Sequence, residues 1–135
     1  MSLWQQEQIS LIQLMRNRFR QYHIFYPCKL HLFENLFVTQ LITALRASEM
    51  DFRISNYRTD AGAEADVILE IEGKTYAIEI KTGGFSKSDL GGLNSFEKFI
   101  GKKVQKFVVL PDGNPRIIDD VQILPWQSLM KLLKI

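Results

Sequence analysis

The chain has 135 residues, a length that favours a single domain. Its 17 Lys and Arg against 15 Asp and Glu give a formal net charge of +2, too small to indicate a nucleic-acid-binding protein by itself. With 1 Cys and 2 His, the chain can form neither an internal disulfide nor a four-ligand structural zinc site, so any metal site has to use carboxylates.

The predicted elements begin with two helices. Residues 3–20 carry apolar side chains along one stripe and predict an amphipathic helix. Residues 30–46 predict a second helix that is apolar on most sides and therefore largely buried. Three strands follow at 52–58, 65–71 and 74–81. The rest is predicted as a helix at 89–100 that Ser88 could cap, strands at 106–110 and 117–124, and a short helix from Trp126. This order predicts the mixed α/β class.

The sequence has no apolar run of about 18 residues, the length that a membrane-spanning helix needs. The first residues also lack the basic and apolar regions of a signal peptide. We therefore expect a cytoplasmic protein that does not enter the membrane.

Glu72-Gly73 is predicted as the turn of an antiparallel hairpin, and the apolar pattern fixes its register. One face then carries the apolar pairs Ala65–Ile80, Val67–Ile78 and Leu69–Tyr76. The remaining predicted pairs are Glu64–Lys81, Asp66–Glu79, Ile68–Ala77 and Glu70–Thr75.

This register predicts a cluster of Asp66, Glu79 and Lys81. Directly paired residues have Cβ atoms about 4.5–5.5 Å apart, so two carboxylates there repel each other unless a cation lies between them. Oxygen ligands suit Mg²⁺, Mn²⁺ or Ca²⁺ better than zinc. A solvent-facing hairpin with ordinary alternating charges is the alternative, and the pattern leaves both interpretations open.

A third carboxylate, Glu34, lies on the same helical stripe as Val38, Leu41 and Leu45. Burying a carboxylate there requires a partner. Placement near the N-terminus of the helix explains the residue equally well without a ligand.

Charge is unevenly distributed around this cluster. Residues 61–80 carry five acids and one Lys, whereas residues 81–106 carry six Lys and two acids. An acidic cluster beside a lysine-rich segment fits a metal site that acts on phosphates, and it also fits two ordinary solvated surfaces.

Asp66, followed by twelve intervening residues and Glu79-Ile80-Lys81, resembles the Asp…Glu-x-Lys signature of the PD-(D/E)XK nuclease superfamily. The resemblance implies a restriction-endonuclease-like αβββαβ core, with a central mixed sheet flanked by helices. It divides the chain into an N-terminal helical extension (1–29) and a nuclease-like domain (30–135). More narrowly, the chain is similar to the nuclease-like domain that follows an AAA+ ATPase module in prokaryotic proteins; the matching strings include Gly62-Ala63-Glu64-Ala65-Asp66 and Ser88-Asp89-Leu90.

The resemblance also implies roles. Its metal ligands would be Glu34, Asp66, Glu79 and the carbonyl of Ile80, with Mg²⁺ or Mn²⁺ as cofactor. Lys81 would orient or activate the attacking water and stabilise developing phosphate charge. DNA phosphates would meet basic side chains, for which the candidates are Arg58, Lys98, Lys102, Lys103 and Lys106.

The implied function is a metal-dependent nuclease that hydrolyses DNA. Related enzymes that cut duplexes often pair, which implies a homodimer. No G-x-x-x-x-G-K-[ST] motif is present, so we expect a fragment or a stand-alone relative that works with an ATPase domain or partner. The alternatives are a non-catalytic module that binds nucleic acid or protein in an ATPase-associated assembly, and a structural domain without a substrate.

Overall fold

Helices separate groups of short strands along the chain. The computed structural model describes the backbone of residues 28–135 and the side chains of residues 32–135, so the predicted helix at 3–20 lies outside the described residues, as does nearly all of the predicted extension. The described elements are α1 (Cys28–Ala47), β1 (Phe52–Arg58), β2 (Glu64–Ile71), β3 (Lys74–Ile80), a 3₁₀ helix (Lys87–Leu90), α2 (Gly91–Ile100), β4 (Gln105–Leu110), β5 (Arg116–Ile118), β6 (Val121–Pro125) and α3 (Trp126–Leu132).

Three details correct the predictions. The single strand expected at 117–124 is two strands, β5 and β6, which pair antiparallel with each other. The residue that caps the 3₁₀ helix is Ser86 rather than Ser88. Helix α1 is less buried than predicted, because Leu32 on its outer side is 64% exposed. No helix within residues 28–135 is long and apolar enough to cross a membrane.

The six strands form one mixed sheet in the order β1-β2-β3-β4-β6-β5. The strands β1, β2 and β3 pair antiparallel, whereas β3–β4 and β4–β6 pair parallel. Helix α2 precedes β4 along the chain, as the crossover between two parallel strands requires. The predicted α/β class is therefore confirmed, and the described elements follow the order helix, three strands, helix, strand.

Helices cover both faces of the sheet. On one face, residues of α1 and α3 such as Phe37, Leu41 and Leu129 pack against Val67 and Ile78. On the other face, α2 packs against the sheet through Leu93 and Phe96. Because side chains alternate between the two faces of a strand, Glu79 points to the same side as Ala77, which is the face that α2 covers.

Lys106 of β4 is buried on the α2 face, contrary to the expectation that it contacts phosphates. Only 3% of the residue is exposed. Its Nζ lies 3.0 Å from Oε1 of Glu97 and 2.7 Å from Oδ2 of Asp120, and it donates a hydrogen bond to Asn94. Burial would lower the pKa of Lys106, but the bonds to Asp120 and Glu97 outweigh it and raise the pKa, so the side chain stays charged.

Replacing Lys106 with methionine is expected to lower the free energy of unfolding by about 2 kcal/mol, because two carboxylates lose their shared cation. Glu97 and Asp120 keep access to water, which limits the loss. Urea denaturation measures the effect, with Lys98→Met, an exposed lysine of α2, as the control. Equal stability of the two variants would contradict the structural role of Lys106.

Candidate active site

The candidate site lies where β2 and β3 separate. Four predicted pairs of the hairpin are present, from Glu70↔Thr75 to Val67↔Ile78, and the ladder ends there. On its other side, β2 pairs with β1 through a bulge, in which Asn56 lies opposite the two residues Asp66 and Val67. A bulge bends its strand and resets the alternation of side chains. The strand therefore turns away from β3 at Asp66.

The bulge corrects the outer part of the predicted register. Ala65 packs in the cluster beneath α2, not on the face of Val67 where the regular alternation placed it. The direct pairs predicted for Asp66–Glu79, Ala65–Ile80 and Glu64–Lys81 are absent from the described β2–β3 ladder. The cluster of Asp66, Glu79 and Lys81 is nevertheless formed, by a different geometry.

Asp66 closes the gap between the strands with its side chain. The amide of Ile80 donates a 2.8 Å hydrogen bond to Oδ2 of Asp66, in the place where a regular ladder would supply a backbone carbonyl of β2. The amide and carbonyl of one residue in a strand point to the same side. The carbonyl of Ile80 therefore also faces the gap that Asp66 borders.

Glu79 is the most buried acid of the cluster. Its Oε1 lies 3.3 Å from Nζ of Lys81, whereas its buried Oε2 has no hydrogen-bond partner among the described residues. Burial, helped by the negative charge of Asp66, raises the pKa of Glu79 to about 8. Burial also raises the pKa of Asp66, against the opposing effect of the Ile80 amide. Both carboxyls thus bind protons more tightly than carboxyls in water do.

Lys81 lies between two carboxylates. Its Nζ is 3.5 Å from Oδ1 of Asp89, in addition to its contact with Glu79. Burial would lower the pKa of Lys81, but the charges of Glu79 and Asp89 outweigh it and raise the pKa. The side chain is therefore a cation at neutral pH.

Asp89 was not predicted as a site residue. Its Oδ2 accepts a 2.8 Å hydrogen bond from the amide of Ser86, and this bond is the main reason that the pKa of Asp89 is lowered. The spacing Ser86-x-x-Asp89 is that of a capping box, and it was the available sequence signal. The 3₁₀ helix thus holds the ionised carboxylate of Asp89 beside Lys81.

The other predicted site residues are placed in three ways. Arg58 forms a 3.0 Å ion pair with Glu64, whose charge helps to raise the pKa of Asp66, so this pair borders the cluster. Glu34 lies half-buried on α1, and among the described residues no three His, Cys, Asp or Glu side chains form a group that could hold a metal ion. The exposed Lys102 and Lys103 precede β4, at the opposite end of the sheet.

The first turn of α2 lies directly beneath this end of β2. A Cβ atom added to Gly92 would meet the carbonyl oxygen of Glu64 at 1.7 Å. Only glycine permits this approach, and it brings the helix against the backbone two residues before Asp66. The packing of α2 and the position of the bulge are therefore linked.

Comparison with known proteins supplies a family. A search of curated proteins gave no match. The family model described as "Domain of unknown function (DUF4143)" matches residues 30–129, which include every predicted site residue. Domains of this family are often found after AAA ATPase domains, as the narrower resemblance implied. The likeness to PD-(D/E)XK nucleases stays a prediction. Because the match covers most of the chain, the protein belongs to the DUF4143 family.

Proposed function

We propose that the chain is a metal-dependent nuclease that hydrolyses DNA phosphodiester bonds at the cluster of Asp66, Glu79 and Lys81. The observation that carries the proposal is the buried Oε2 of Glu79, which lacks a hydrogen-bond partner among the described residues and lies in the field of Asp66. In the ionised form this oxygen would be unsatisfied and would lie beside a second acid, and the raised pKa of Glu79 reflects both penalties. A divalent cation would remove both penalties.

The residues present fit Mg²⁺ or Mn²⁺. All the available donors are oxygens: the carboxylates of Asp66 and Glu79, together with the carbonyl of Ile80 that faces the same gap. Mg²⁺ is commonly held by one or two carboxylates and completes its shell with water and phosphate oxygens. A bound divalent cation makes water a usable nucleophile near neutral pH and neutralises charge on the phosphate. The predicted contribution of Glu34 is not needed for this set.

The side chains around the acids have separate roles in this proposal. Because the pKa of Lys81 is raised, its ammonium serves as a fixed positive charge for the phosphate and does not act as a base. Asp89 acts as a positioning residue, since its carboxylate gives Lys81 a second ion pair in addition to that with Glu79. Glu79 releases its proton when a cation binds, because both compete for the same oxygens.

Incubation with supercoiled plasmid and Mg²⁺ or Mn²⁺ tests the proposal. We expect Asp66→Ala and Lys81→Ala to nick the plasmid at least about 100-fold more slowly than the wild type. The matched control is Glu70→Gln, an acid of β2 that pairs with Arg53 at the surface and lies away from the cluster. Nicking at the wild-type rate by folded Lys81→Ala would refute the proposal. Calorimetry with Mn²⁺ alone should show binding that is lost in Asp66→Ala.

A second candidate is a non-catalytic module that binds nucleic acid or protein within an ATPase-associated assembly. Two observations favour it: the described residues contain no three-acid metal group, and the family often follows AAA ATPase domains. This candidate predicts DNA binding without cleavage, or binding to an ATPase domain, both unchanged in Lys81→Ala. Mn²⁺ binding that depends on Asp66 would count against it.

A further inference from the structure

A second basic feature lies at the end of the sheet remote from the candidate site. A cavity of about 330 Å³ is lined by Lys74, Lys102 and Lys103, together with Thr75 and Gln105 at the beginnings of β3 and β4. Strand β3 runs from this cavity to Ile80. At about 3.3 Å per residue the two ends are about 20 Å apart, so the cavity is separate from the Asp66 cluster.

Two left-handed turns bring the three lysines together. The β2–β3 turn has Glu72 at φ 48° and Gly73 at φ 80°, and it delivers Lys74 to the rim. Helix α2 ends at Gly101, whose φ is 70°, and the chain then turns through Lys102 and Lys103 into β4. The parallel strands β3 and β4 fix the spacing of the two turns through the pair Tyr76↔Gln105. The cavity is thus part of the sheet framework.

Three of the residues that line the cavity are lysines. No acid is among its lining residues. Within the described part of the chain, none of its lysines forms an ion pair closer than 4.0 Å; the charge of Asp120 is coupled to Lys103 at longer range. Lys106, three residues after Lys103, is by contrast enclosed by two carboxylates. The ammonium groups of these exposed lysines are therefore available to an anion from solution.

We propose that this cavity binds a phosphate group. Its volume is at the lower end of the range for ligand pockets, which suits one or two phosphoryl groups and not a large apolar ligand. Lysine ammonium groups bind phosphate as point charges and keep their mobility. The phosphate belongs either to a small free anion or to a nucleic-acid strand. In both cases the lysine ammonium groups would contact phosphate oxygens. The inference does not depend on the proposed nuclease activity.

Calorimetry at low salt tests the cavity with two probes: inorganic pyrophosphate, and a short single-stranded oligonucleotide with and without a 5′-phosphate. We expect the double variant Lys102→Ala/Lys103→Ala to bind the preferred probe at least about tenfold more weakly, because two charge-assisted contacts are lost. The matched control is Lys131→Ala/Lys134→Ala, which removes two exposed lysines that neither line the cavity nor belong to the predicted phosphate contacts.

Each outcome supports or overturns the proposal. Pyrophosphate binding that depends on Lys102 and Lys103 supports it and identifies a free anion as the ligand. Binding of the oligonucleotide alone, with the same dependence, supports it and identifies a strand phosphate. The proposal is overturned if neither probe binds, if the double variant Lys102→Ala/Lys103→Ala binds as tightly as the wild type, or if the control loses binding equally. The calorimetry is carried out without a divalent metal and does not require nicking, so failure of the nuclease proposal and failure of this one are distinguishable.

Discussion

Replacing Gly92 with alanine is expected to lower the free energy of unfolding by about 3 kcal/mol or more, a large part of the stability of a small domain. The added Cβ would lie 1.7 Å from the carbonyl oxygen and 2.6 Å from the carbonyl carbon of Glu64. Both atoms belong to the backbone, so no side-chain rotation can relieve the overlap. Either α2 or the end of β2 has to move.

Gly91→Ala is the matched control for this substitution. Gly91 precedes Gly92 on the same helix, and a Cβ there would meet no atom within 4 Å. Alanine should be tolerated at this position, because its backbone is helical and alanine favours helices. Guanidinium denaturation of both variants measures the difference. Free energies of unfolding that agree within about 1 kcal/mol would contradict the close approach of α2 to β2.

The stability of the metal-free protein is expected to decrease as the pH rises from about 5 to about 8. Burial raises the pKa of Glu79 to about 8, above its usual 4.5. The folded state therefore binds this proton more tightly than the unfolded chain does. The resulting stabilisation is complete below the unfolded pKa and is lost as the pH rises through the folded pKa. We expect a loss on the order of 3 kcal/mol across this range, with Asp66 adding in the same direction.

Glu79→Gln should remove most of this pH dependence, because glutamine keeps the shape of the side chain and does not titrate. The control is Glu70→Gln, the same substitution at an acid of β2 outside the cluster. Thermal unfolding between about pH 5 and pH 8 provides the measurement. Added Mn²⁺ should stabilise the wild type more at pH 8 than at pH 6, since protons and cations compete for the same carboxylates. Equal slopes in the wild type and Glu79→Gln would refute the assignment.

The regular part of the hairpin was predictable from the sequence. The alternation of apolar residues fixed the register of four pairs, and Glu72-Gly73 forms the turn as expected. Such predictions succeed because a shift by one residue would expose the whole apolar face of a strand. The same periodicities predicted the order of the elements up to β4, whereas the last predicted strand proved to be two, β5 and β6. Helices cover both faces of the sheet, so each helix and each strand has to present apolar side chains at regular intervals to the layer it packs against.

The irregular part was not predictable. The bulge at Asp66 depends on the pairing of β1 with β2, and nothing in the local pattern around Asp66 indicates an extra residue. The burial of Lys106 depends on Glu97 and Asp120, which reach it from a helix and from a turn. From the charge pattern of the sequence alone, Lys106 was therefore predicted to be a surface lysine like its neighbours. In both cases the deciding contact lies between elements, so a single sequence carries no direct signal for it.

The bond between Asp66 and the amide of Ile80 has a further consequence. In a regular ladder the donor and the acceptor of each hydrogen bond both belong to the backbone, and neither of them titrates. Here the acceptor is a carboxylate oxygen that titrates. The chemical shift of the Ile80 amide therefore depends on whether Asp66 is ionised. In a nitrogen–proton spectrum, the resonance of Ile80 is thus a natural reporter of occupancy at the cluster. The bulge in β2 thus makes the state of the carboxylates visible in the spectrum of one backbone amide.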